Sequence, residues 1–271
     1  MSYLCDLHAH TTYCDGSASP EEMILSAIAK GCRSFGLSGH APVNIDGDWY
    51  MREEKVQPYL SELYSLKEKY ADKIEFYVGL EADMYSPELP RCDYKIASLH
   101  YTDADGKFFD VDHTEEKQKK AVSTHFGGDF YAYVENYYNR LKSVIERTHG
   151  DIIGHFDLVT KFNGDGKLFN ENDPRYLSAA FDAMSELVKY GLPFEINTGA
   201  ISRGYRNTPY PSKTLLTELH RLGGKIMFNS DAHSPSAVCC CFDSAKELAK
   251  ECGFDSHVVL SKGRFTEVTL K

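Results

Sequence analysis

The chain has 271 residues, of which 42% are hydrophobic, and it carries a formal net charge of −10. This length suits one large α/β domain, so we expect a single domain that spans residues 1–271. The acidic balance gives no electrostatic basis for binding nucleic acid, and no apolar run approaches the ~20 residues that a membrane span requires.

The first residues and the cysteines indicate the cellular compartment in which the protein resides. The first residues carry neither a basic segment nor a long apolar core, and the eight cysteines include no C-x-x-C pair. We therefore expect a cytoplasmic protein with reduced thiols.

Strand and helix patterns alternate along the chain. Seven short apolar or β-branched runs predict strands over 3–7, 34–38, 74–80, 94–99, 152–154, 193–196 and 225–229. Six longer patterns predict helices over 20–30, 56–70, 130–147, 174–190, 212–222 and 236–251. This alternation predicts a parallel sheet closed as a (β/α) barrel, with an open doubly wound sheet as the alternative. The polar segment 103–128 interrupts the pattern and could cover one end of the barrel.

A polar side chain follows every predicted strand, and nearly all are metal-ligand types. In chain order they are His8 and His10, His40, Glu81, His100, His155, Asn197, and Asp231 with His233. Six of the eleven histidines occupy these strand ends. In a barrel these ends meet on one face, where such enzymes place their active sites. In extended chain, residues i and i+2 point the same way, so His8 with His10, and Asp231 with His233, can act as pairs.

Together these residues predict a metal site, although each alone could be ordinary surface or a helix cap. With Asp15 added and Asn197 set aside, the set has nine ligands, which is too many for one ion and indicates two or three. Histidine and carboxylate ligands without thiolate favour Mn²⁺, Fe²⁺ or Zn²⁺ over Mg²⁺ or Ca²⁺. We leave Cys5 and Cys14 out of the set. The remaining histidines lack this placement and are interpreted as ordinary: His113, His125, His149, His220 and His257.

Six motifs occur in a familiar order: "DLHAHTTYCDG", "SGHAP", "GLEAD", "SLHY", "GHFD" and "NSDAH". In this order they resemble the polymerase and histidinol phosphatase (PHP) superfamily, over nearly the whole chain. The stretches "GLEADMYSPE", "FDLVTKFN" and "EINTGAISRGYRNTPYPS" are similar to the monofunctional histidinol phosphatases of that superfamily. The resemblance implies a distorted (β/α)7, TIM-like barrel with a trinuclear metal centre at the carboxyl ends of the strands. It also implies hydrolysis of L-histidinol phosphate in histidine biosynthesis.

The resemblance further implies how the ligands divide among three ions. One ion takes His8, His10, Glu81 and Asp231. A second takes His100 and His155 and shares Glu81 as a bridge. A third takes Asp15, His40 and His233. Two positions depart from the pattern of many relatives: Asp15 stands where some have histidine, and Gly39 stands where many have an acidic residue.

Phosphate monoester hydrolysis needs a nucleophile, charge neutralisation and a proton for the leaving oxygen, and paired metal ions can supply much of this. We expect a hydroxide that bridges the first two ions to attack phosphorus in line. Proton transfer is assigned to the residues nearest the reacting group: Asp15, Asp231 and His233, with His40 as a further candidate. Arginine suits phosphate because its planar fork donates two parallel hydrogen bonds. Three cations beyond the strand ends are therefore predicted to bind the substrate: Lys161, Arg203 and Arg206.

The same residues are compatible with alternative functions. Another PHP phosphoesterase could act on phosphotyrosine, a nucleotide or a small phosphorylated metabolite, and polymerase-attached PHP domains process nucleic acid. The chain could also be a metal-binding interaction module without catalysis. An amidohydrolase-type barrel shares the H-x-H opening but not the later motifs. We expect a small-molecule phosphate ester as the partner, with neither nucleic acid nor membrane, and the sequence leaves the oligomeric state open.

Overall fold

The computed structural model describes residues 3–270 and contains eleven strands and nine α-helices in that range. The strands are β1 (Cys5–Asp6), β2 (Ser34–Leu37), β3 (Glu75–Asp83), β4 (Tyr94–Ser98), β5 (Tyr101–Ala104), β6 (Lys107–Asp110), β7 (Ile152–Ile153), β8 (Pro193–Asn197), β9 (Lys225–Asn229), β10 (Ser256–Ser261) and β11 (Arg264–Thr269). The helices are α1 (Pro20–Ala29), α2 (Glu53–Lys69), α3 (Glu115–His125), α4 (Phe130–Leu141), α5 (Val144–Thr148), α6 (Pro174–Val188), α7 (Gly199–Ser202), α8 (Lys213–Arg221) and α9 (Phe242–Glu251).

Seven strands form one sheet in the order β1-β2-β3-β4-β7-β8-β9. Every neighbouring pair in it is parallel. The first and last strands meet just beyond their ends, where Ala9 and Ala232 form a parallel bridge. Two backbone hydrogen bonds hold this seam: the amide of His10 donates to the carbonyl of Ala232 (2.8 Å), and that of Ala232 to the carbonyl of His8 (3.1 Å). The sheet is therefore a TIM-like α/β barrel, as predicted, and not an open sheet.

Local signals explain where several helices begin and end. The Ser19 hydroxyl accepts from the Glu22 amide while the Glu22 carboxylate accepts from the Ser19 amide, a capping box that starts α1. Asp173 caps α6 in front of a proline. Gly191, with φ of +67°, follows α6 and takes the left-handed conformation that ends a helix.

Two predicted helices differ from the structure. The pattern over 130–147 is divided into α4 and α5 at Lys142–Ser143, and the second part ends at His149 in a left-handed conformation. The helix predicted over 236–251 begins only at Phe242, because Cys239 and Cys241 have φ of +54° and +61° and cannot continue a right-handed helix. A short 3₁₀ turn, Pro235–Ala237, precedes that bend.

Two antiparallel hairpins lie outside the predicted strands. β10 and β11 form one, and Val258, Val259 and Leu260 pack against the barrel interior beside Leu7 and Met227. The Ser34 hydroxyl donates to the Leu260 carbonyl at the start of β2, so this hairpin fills the amino-terminal end of the barrel. The opposite end, where the parallel strands finish, is left for the functional site.

The second hairpin, β5–β6, opens the polar segment 103–128, which continues into α3. Its exit is anchored because Val111 is fully buried and its amide donates to the His100 carbonyl at 2.9 Å. The segment therefore runs beside the carboxyl ends of the strands. Within residues 3–270, no helix combines the length and the apolar character that a membrane crossing needs.

Candidate active site

The structure brings all nine predicted metal ligands together at the carboxyl ends of the strands, around the buried carboxylate of Glu81 on β3. One of its oxygens, Oε2, lies 3.2 Å from His8 Nε2 and 2.7 Å from His40 Nδ1. The other, Oε1, lies 2.9 Å from His155 Nε2 and 3.3 Å from His100 Nε2. Four strand ends thus converge on one carboxylate.

Two aspartates complete the cluster on the side of the barrel seam. Asp231 Oδ1 lies 3.1 Å from His10 Nε2, and Asp231 has a left-handed φ of 48°. Such a conformation is uncommon for a residue other than glycine and often marks a functional site. Asp15, on the loop that returns after β1, places Oδ2 3.1 Å from His233 Nε2 and Oδ1 3.7 Å from both His10 and His40.

The donor atoms fit divalent metal ions. Four of the buried atoms make no hydrogen bond within residues 3–270: His8 Nε2, His10 Nε2, His40 Nδ1 and Glu81 Oε2. Buried polar atoms are rarely left without a partner, and these four face one another. Three overlapping sets place their ligand atoms within 4.8 Å: His10, Asp15, His40 and His233; His8, His10 and Glu81; His40, Glu81 and His100. Imidazole and carboxylate groups in such sets bind divalent transition metals.

The electrostatics put two of the ligands, Glu81 and His10, in the protonation states that metals require. Neighbouring carboxylates raise the pKa of His8 and His100 well above its ordinary value, so these two must lose a proton when a metal binds. Burial alone would raise the pKa of Glu81, but His40, His8 and His100 hold that pKa well below its ordinary value. Burial lowers the pKa of His10 to about 3, helped by repulsion from His233 and His40. The cluster therefore presents an ionised carboxylate beside a neutral imidazole, and both can ligate a metal without losing a proton first.

Glu195, a fully buried residue of β8, orients this cluster from behind. Its Oε2 accepts from His8 Nδ1 (2.9 Å) and from the Asn229 side-chain amide (2.8 Å). Its Oε1 accepts from the His155 backbone amide (2.7 Å) and from the Asn197 side-chain amide (2.8 Å). Holding Nδ1 of His8 in this way turns Nε2 towards Glu81. A carboxylate behind a histidine ligand commonly fixes its tautomer.

Asp83 does the same for His100. Its Oδ2 lies 3.1 Å from His100 Nδ1 and accepts from the His100 backbone amide at 2.8 Å. Neither Glu195 nor Asp83 is among the site residues predicted from the sequence. Asp83 lies two residues after Glu81 on β3, and that spacing is the signal that could have identified it.

We expect Glu195→Gln to weaken metal binding by about 10- to 100-fold, since removing the group that orients a histidine ligand typically costs that much. A glutamine would also place an amide nitrogen where two donors already point. Metal content at buffered free Zn²⁺ measures the effect. Glu186→Gln, on the exposed face of α6, is the matched control. Equal metal affinity in the two variants would contradict this role for Glu195.

A cavity of about 250 Å³ opens over the cluster. Its walls include Trp49, Asp112, His113, Leu158, Lys161, Arg203 and Tyr205, besides cluster residues. Arg203 Nη2 lies 3.0 Å from Asp231 Oδ2, and Arg203 Nη1 lies 2.6 Å from His233 Nδ1. Lys161 Nζ lies 3.1 Å from Asp112 Oδ2. Two of the three cations predicted to bind substrate therefore line the cavity.

Arg206 does not line this cavity. Its Nη1 donates to the Thr160 carbonyl at 2.7 Å, and its guanidinium lies 3.1 and 3.2 Å from the two carboxylate oxygens of Glu171. The side chains of Arg206 and Glu171 are 9% and 20% exposed, so this is a largely buried ion pair. The geometry supports a role in stabilising the fold in place of the predicted contact with substrate.

Arg206→Met should lower the free energy of unfolding by about 3 kcal/mol, because it leaves the Glu171 carboxylate without its partner. Chemical denaturation measures this loss. The double variant Arg206→Met with Glu171→Leu should recover most of it, since the uncompensated charge is gone. No recovery in the double variant would show that the ion pair is not the source of the loss.

Cys14 lies near the cluster, with Sγ 3.6 Å from His10 Nδ1. Burial raises the pKa of this thiol to about 12, so it stays protonated and is a poor metal ligand. All eight cysteines are free.

Comparison with known proteins places the chain in a family. The family profile described as PHP domain matches residues 6–199. The chain belongs to the PHP domain family. The motifs that carried the sequence resemblance thus lie on a PHP barrel.

Three relatives of this PHP protein are informative. A Schizosaccharomyces pombe protein named "Probable histidinol-phosphatase" is 28% identical, over 90% of this chain and 84% of the relative. The Bacillus subtilis histidinol-phosphatase is 26% identical, over 86% of this chain and 94% of the relative. A crystal structure of histidinol phosphate phosphatase from Lactococcus lactis, complexed with zinc, L-histidinol and phosphate, superposes with a TM-score of 0.67 at 21% identity. It covers 98% of this chain and all of the other (100%). That likeness confirms the fold.

Proposed function

We propose that this PHP protein is a metal-dependent phosphatase that hydrolyses L-histidinol phosphate to L-histidinol and phosphate. The observation that carries the proposal is the nine-residue His/Asp/Glu cluster on the floor of a cavity that also contains Arg203 and Lys161. Relatives named histidinol-phosphatase that align over most of their length with this chain support the substrate.

We propose that the cluster holds two or three ions of Mn²⁺, Zn²⁺ or Fe²⁺. The proposed division assigns His8, His10, Glu81 and Asp231 to one ion, Glu81, His100 and His155 to a second, and Asp15, His40 and His233 to a third. When bound, such ions polarise the phosphoryl group and activate water as the nucleophile. Zinc in the Lactococcus lactis protein is consistent with this choice of metals.

Among the residues of the chain, Arg203 is the one that we propose to bind the phosphoryl group. Its guanidinium contacts Asp231 and His233 at the cavity wall, so it borders the position where a phosphoryl group would meet the cluster. Its side chain is 27% exposed and lines the cavity, so an anion there can reach it. Lys161 adds a second cation to the cavity.

Asp15, Asp231 and His233 are our proposed residues for proton transfer. The side chains of Asp15 and His233 are 32% and 21% exposed, whereas Glu81 is fully buried. Asp15 and His233 therefore face the open part of the cavity, where a leaving oxygen would need a proton. Neighbouring cationic groups hold the pKa of Asp15 and Asp231 well below its ordinary value, so we propose that these two carboxylates accept or orient the proton and that His233, 3.1 Å from Asp15, carries it.

We also propose that the chain forms a single domain. One core cluster contains residues from Ala97 to Leu270, and a second contains residues from Ala9 to Val238. Both cores therefore mix distant parts of the chain, which supports one domain over residues 1–271.

The test is phosphate release from L-histidinol phosphate by protein stripped of metal and reloaded with Mn²⁺, Zn²⁺ or Fe²⁺. We expect no turnover without metal and a kcat/KM of about 10⁴ M⁻¹s⁻¹ or more after reloading. Phosphotyrosine, a nucleoside monophosphate and sugar phosphates form the comparison panel. Preference for one of these would support another PHP phosphatase, and tight metal binding without any turnover would support a non-catalytic module.

A further inference from the structure

The cavity has one carboxylate that the metal cluster does not use. The cavity-lining carboxylates within residues 3–270 are Asp15, Asp112 and Asp231. Asp15 and Asp231 contact histidines of the cluster. The side-chain partner of Asp112 is instead Lys161, at Oδ2, and its Oδ1 accepts no hydrogen bond from residues 3–270. Asp112 therefore lines the cavity with one carboxylate oxygen that has no donor in that range.

Asp112 is held firmly in this position. The preceding residue, Val111, is buried and bonds to the His100 carbonyl through its amide, while Gln118 of α3 donates to the Val111 carbonyl at 3.3 Å. Lys161 Nζ also donates to the backbone carbonyl of Asp112, at 2.7 Å. An anion fixed by its own backbone and by a neighbouring cation loses little freedom when a ligand binds to it.

The charge of Asp112 is maintained beside the cluster. Burial would raise its pKa, but Lys161, His100 and His155 lower that pKa to about 2. Asp112 is thus an acceptor for a cation and not a proton donor to the leaving group. Its side chain remains 26% exposed, so a ligand in the cavity can reach it.

We propose that Asp112 is a specificity-determining residue that binds the ammonium group of a phosphomonoester with an amine near its ester oxygen. This inference rests on the proposed function, because L-histidinol phosphate is such a compound, with two carbon atoms between the amine nitrogen and the ester oxygen. With the phosphoryl group over the cluster, the amine would lie at the neighbouring wall, which carries Asp112.

The ion pair of Lys161 and Asp112 matches the substrate in charge. A substrate with a phosphate and an ammonium group can offer its own charges to both members, so that neither is left unpaired. An ester without an amine gives Asp112 no partner. The structure therefore predicts discrimination by the amine, separately from any recognition of the imidazole ring.

Two pairs of esters test this inference: L-histidinol phosphate against 3-(imidazol-4-yl)propyl phosphate, and 2-aminoethyl phosphate against ethyl phosphate. We expect the wild-type holoenzyme to favour the amine-bearing member of each pair by about 30-fold in kcat/KM, the size of one charge-assisted hydrogen bond. In Asp112→Asn the preference should fall to about threefold or less, with the amine-free esters changed by less than about threefold. Asp110→Asn, two residues earlier and outside this cavity, is the matched control and should keep the preference.

The outcomes separate this inference from the proposed function. An amine preference that survives in Asp112→Asn, or equal losses on both members of a pair, would overturn it, because a purely structural ion pair affects both substrates alike. A wild type that prefers 2-aminoethyl phosphate to ethyl phosphate but is inactive on L-histidinol phosphate would reject the proposed function and support the amine site. Should Asp112→Asn fail to fold, product inhibition of the wild type decides: L-histidinol must inhibit more strongly than 3-(imidazol-4-yl)propanol, and equal inhibition overturns the proposal.

Discussion

Glu81→Gln is expected to lower kcat/KM for L-histidinol phosphate by about 10³-fold or more, with loss of bound metal. Both oxygens of this carboxylate face imidazole nitrogens, at 2.7 to 3.3 Å. An amide group presents one oxygen in place of two and would bring no negative charge to the ions that the cluster is proposed to hold. Since metal ions supply several kcal/mol of transition-state stabilisation, losing them should remove most of the rate. Metal analysis at buffered free metal and phosphate release measure the two effects.

Glu75→Gln is the matched control for this experiment. Glu75 lies at the opposite end of the same strand, where it accepts a hydrogen bond from the Lys262 amide. We expect it to retain its metal content and a kcat/KM within about twofold of the wild type, as for other sites remote from the chemistry. A Glu81→Gln protein with full metal content and near-normal turnover would contradict the central role given to this carboxylate.

Arg203→Met is expected to lower kcat/KM by about 10²- to 10³-fold, because it removes a planar donor from the cavity wall. The backbone at Gly199 lies close to the Arg203 side chain. A Cβ on Gly199 would lie 2.7 Å from Asp231 Oδ2 and 3.0 Å from Arg203 Nη2, so only glycine leaves room for their contact. Arg203→Lys should recover only part of the activity, since an ammonium group cannot reproduce the fork between Asp231 and His233.

Arg203 and Arg206 are expected to control different properties of the protein. In the metal-loaded protein, Arg203→Met should reduce turnover with a smaller loss of stability than Arg206→Met, because Asp231 keeps His10 and the proposed ions as partners. Arg206→Met should reduce stability while the folded fraction keeps its turnover. Steady-state kinetics and urea denaturation of both variants provide the readouts. The reverse pattern, with turnover lost in Arg206→Met and kept in Arg203→Met, would exchange the roles assigned to them.

The sequence predicted the barrel and the grouping of the ligands because both follow from local periodicity. Strand ends of a parallel barrel share one face, so residues such as His100 and His155 could be brought together without knowledge of their contacts. Glu195 could not be assigned in this way. It lies inside an apolar strand, and a buried glutamate there depends on donors from three other strand ends, which no local pattern reports.

The roles of the cations depended on tertiary contacts as well. Arg203 and Arg206 occur three residues apart in the same stretch, and nothing local separates them. Glu171, 35 residues earlier, captures Arg206 and so removes it from the cavity. The hairpin β10–β11 was not predicted, because it is stabilised by packing into the amino-terminal end of the barrel. That end exists only once the sheet has assembled.

The barrel can close only after its last strand has been synthesised. The bonds that join its first and last strands involve the backbone of His8 and His10, and the residue they contact is Ala232, between Asp231 and His233. During synthesis, more than 220 further residues must therefore be added after His10 before its backbone partner, Ala232, is present. A ribosome-bound or truncated chain that lacks residues 225–233 can neither close the barrel nor complete its ligand set. The amount of bound metal would then indicate whether a molecule has finished folding. Chains that lack these residues are expected to retain less metal.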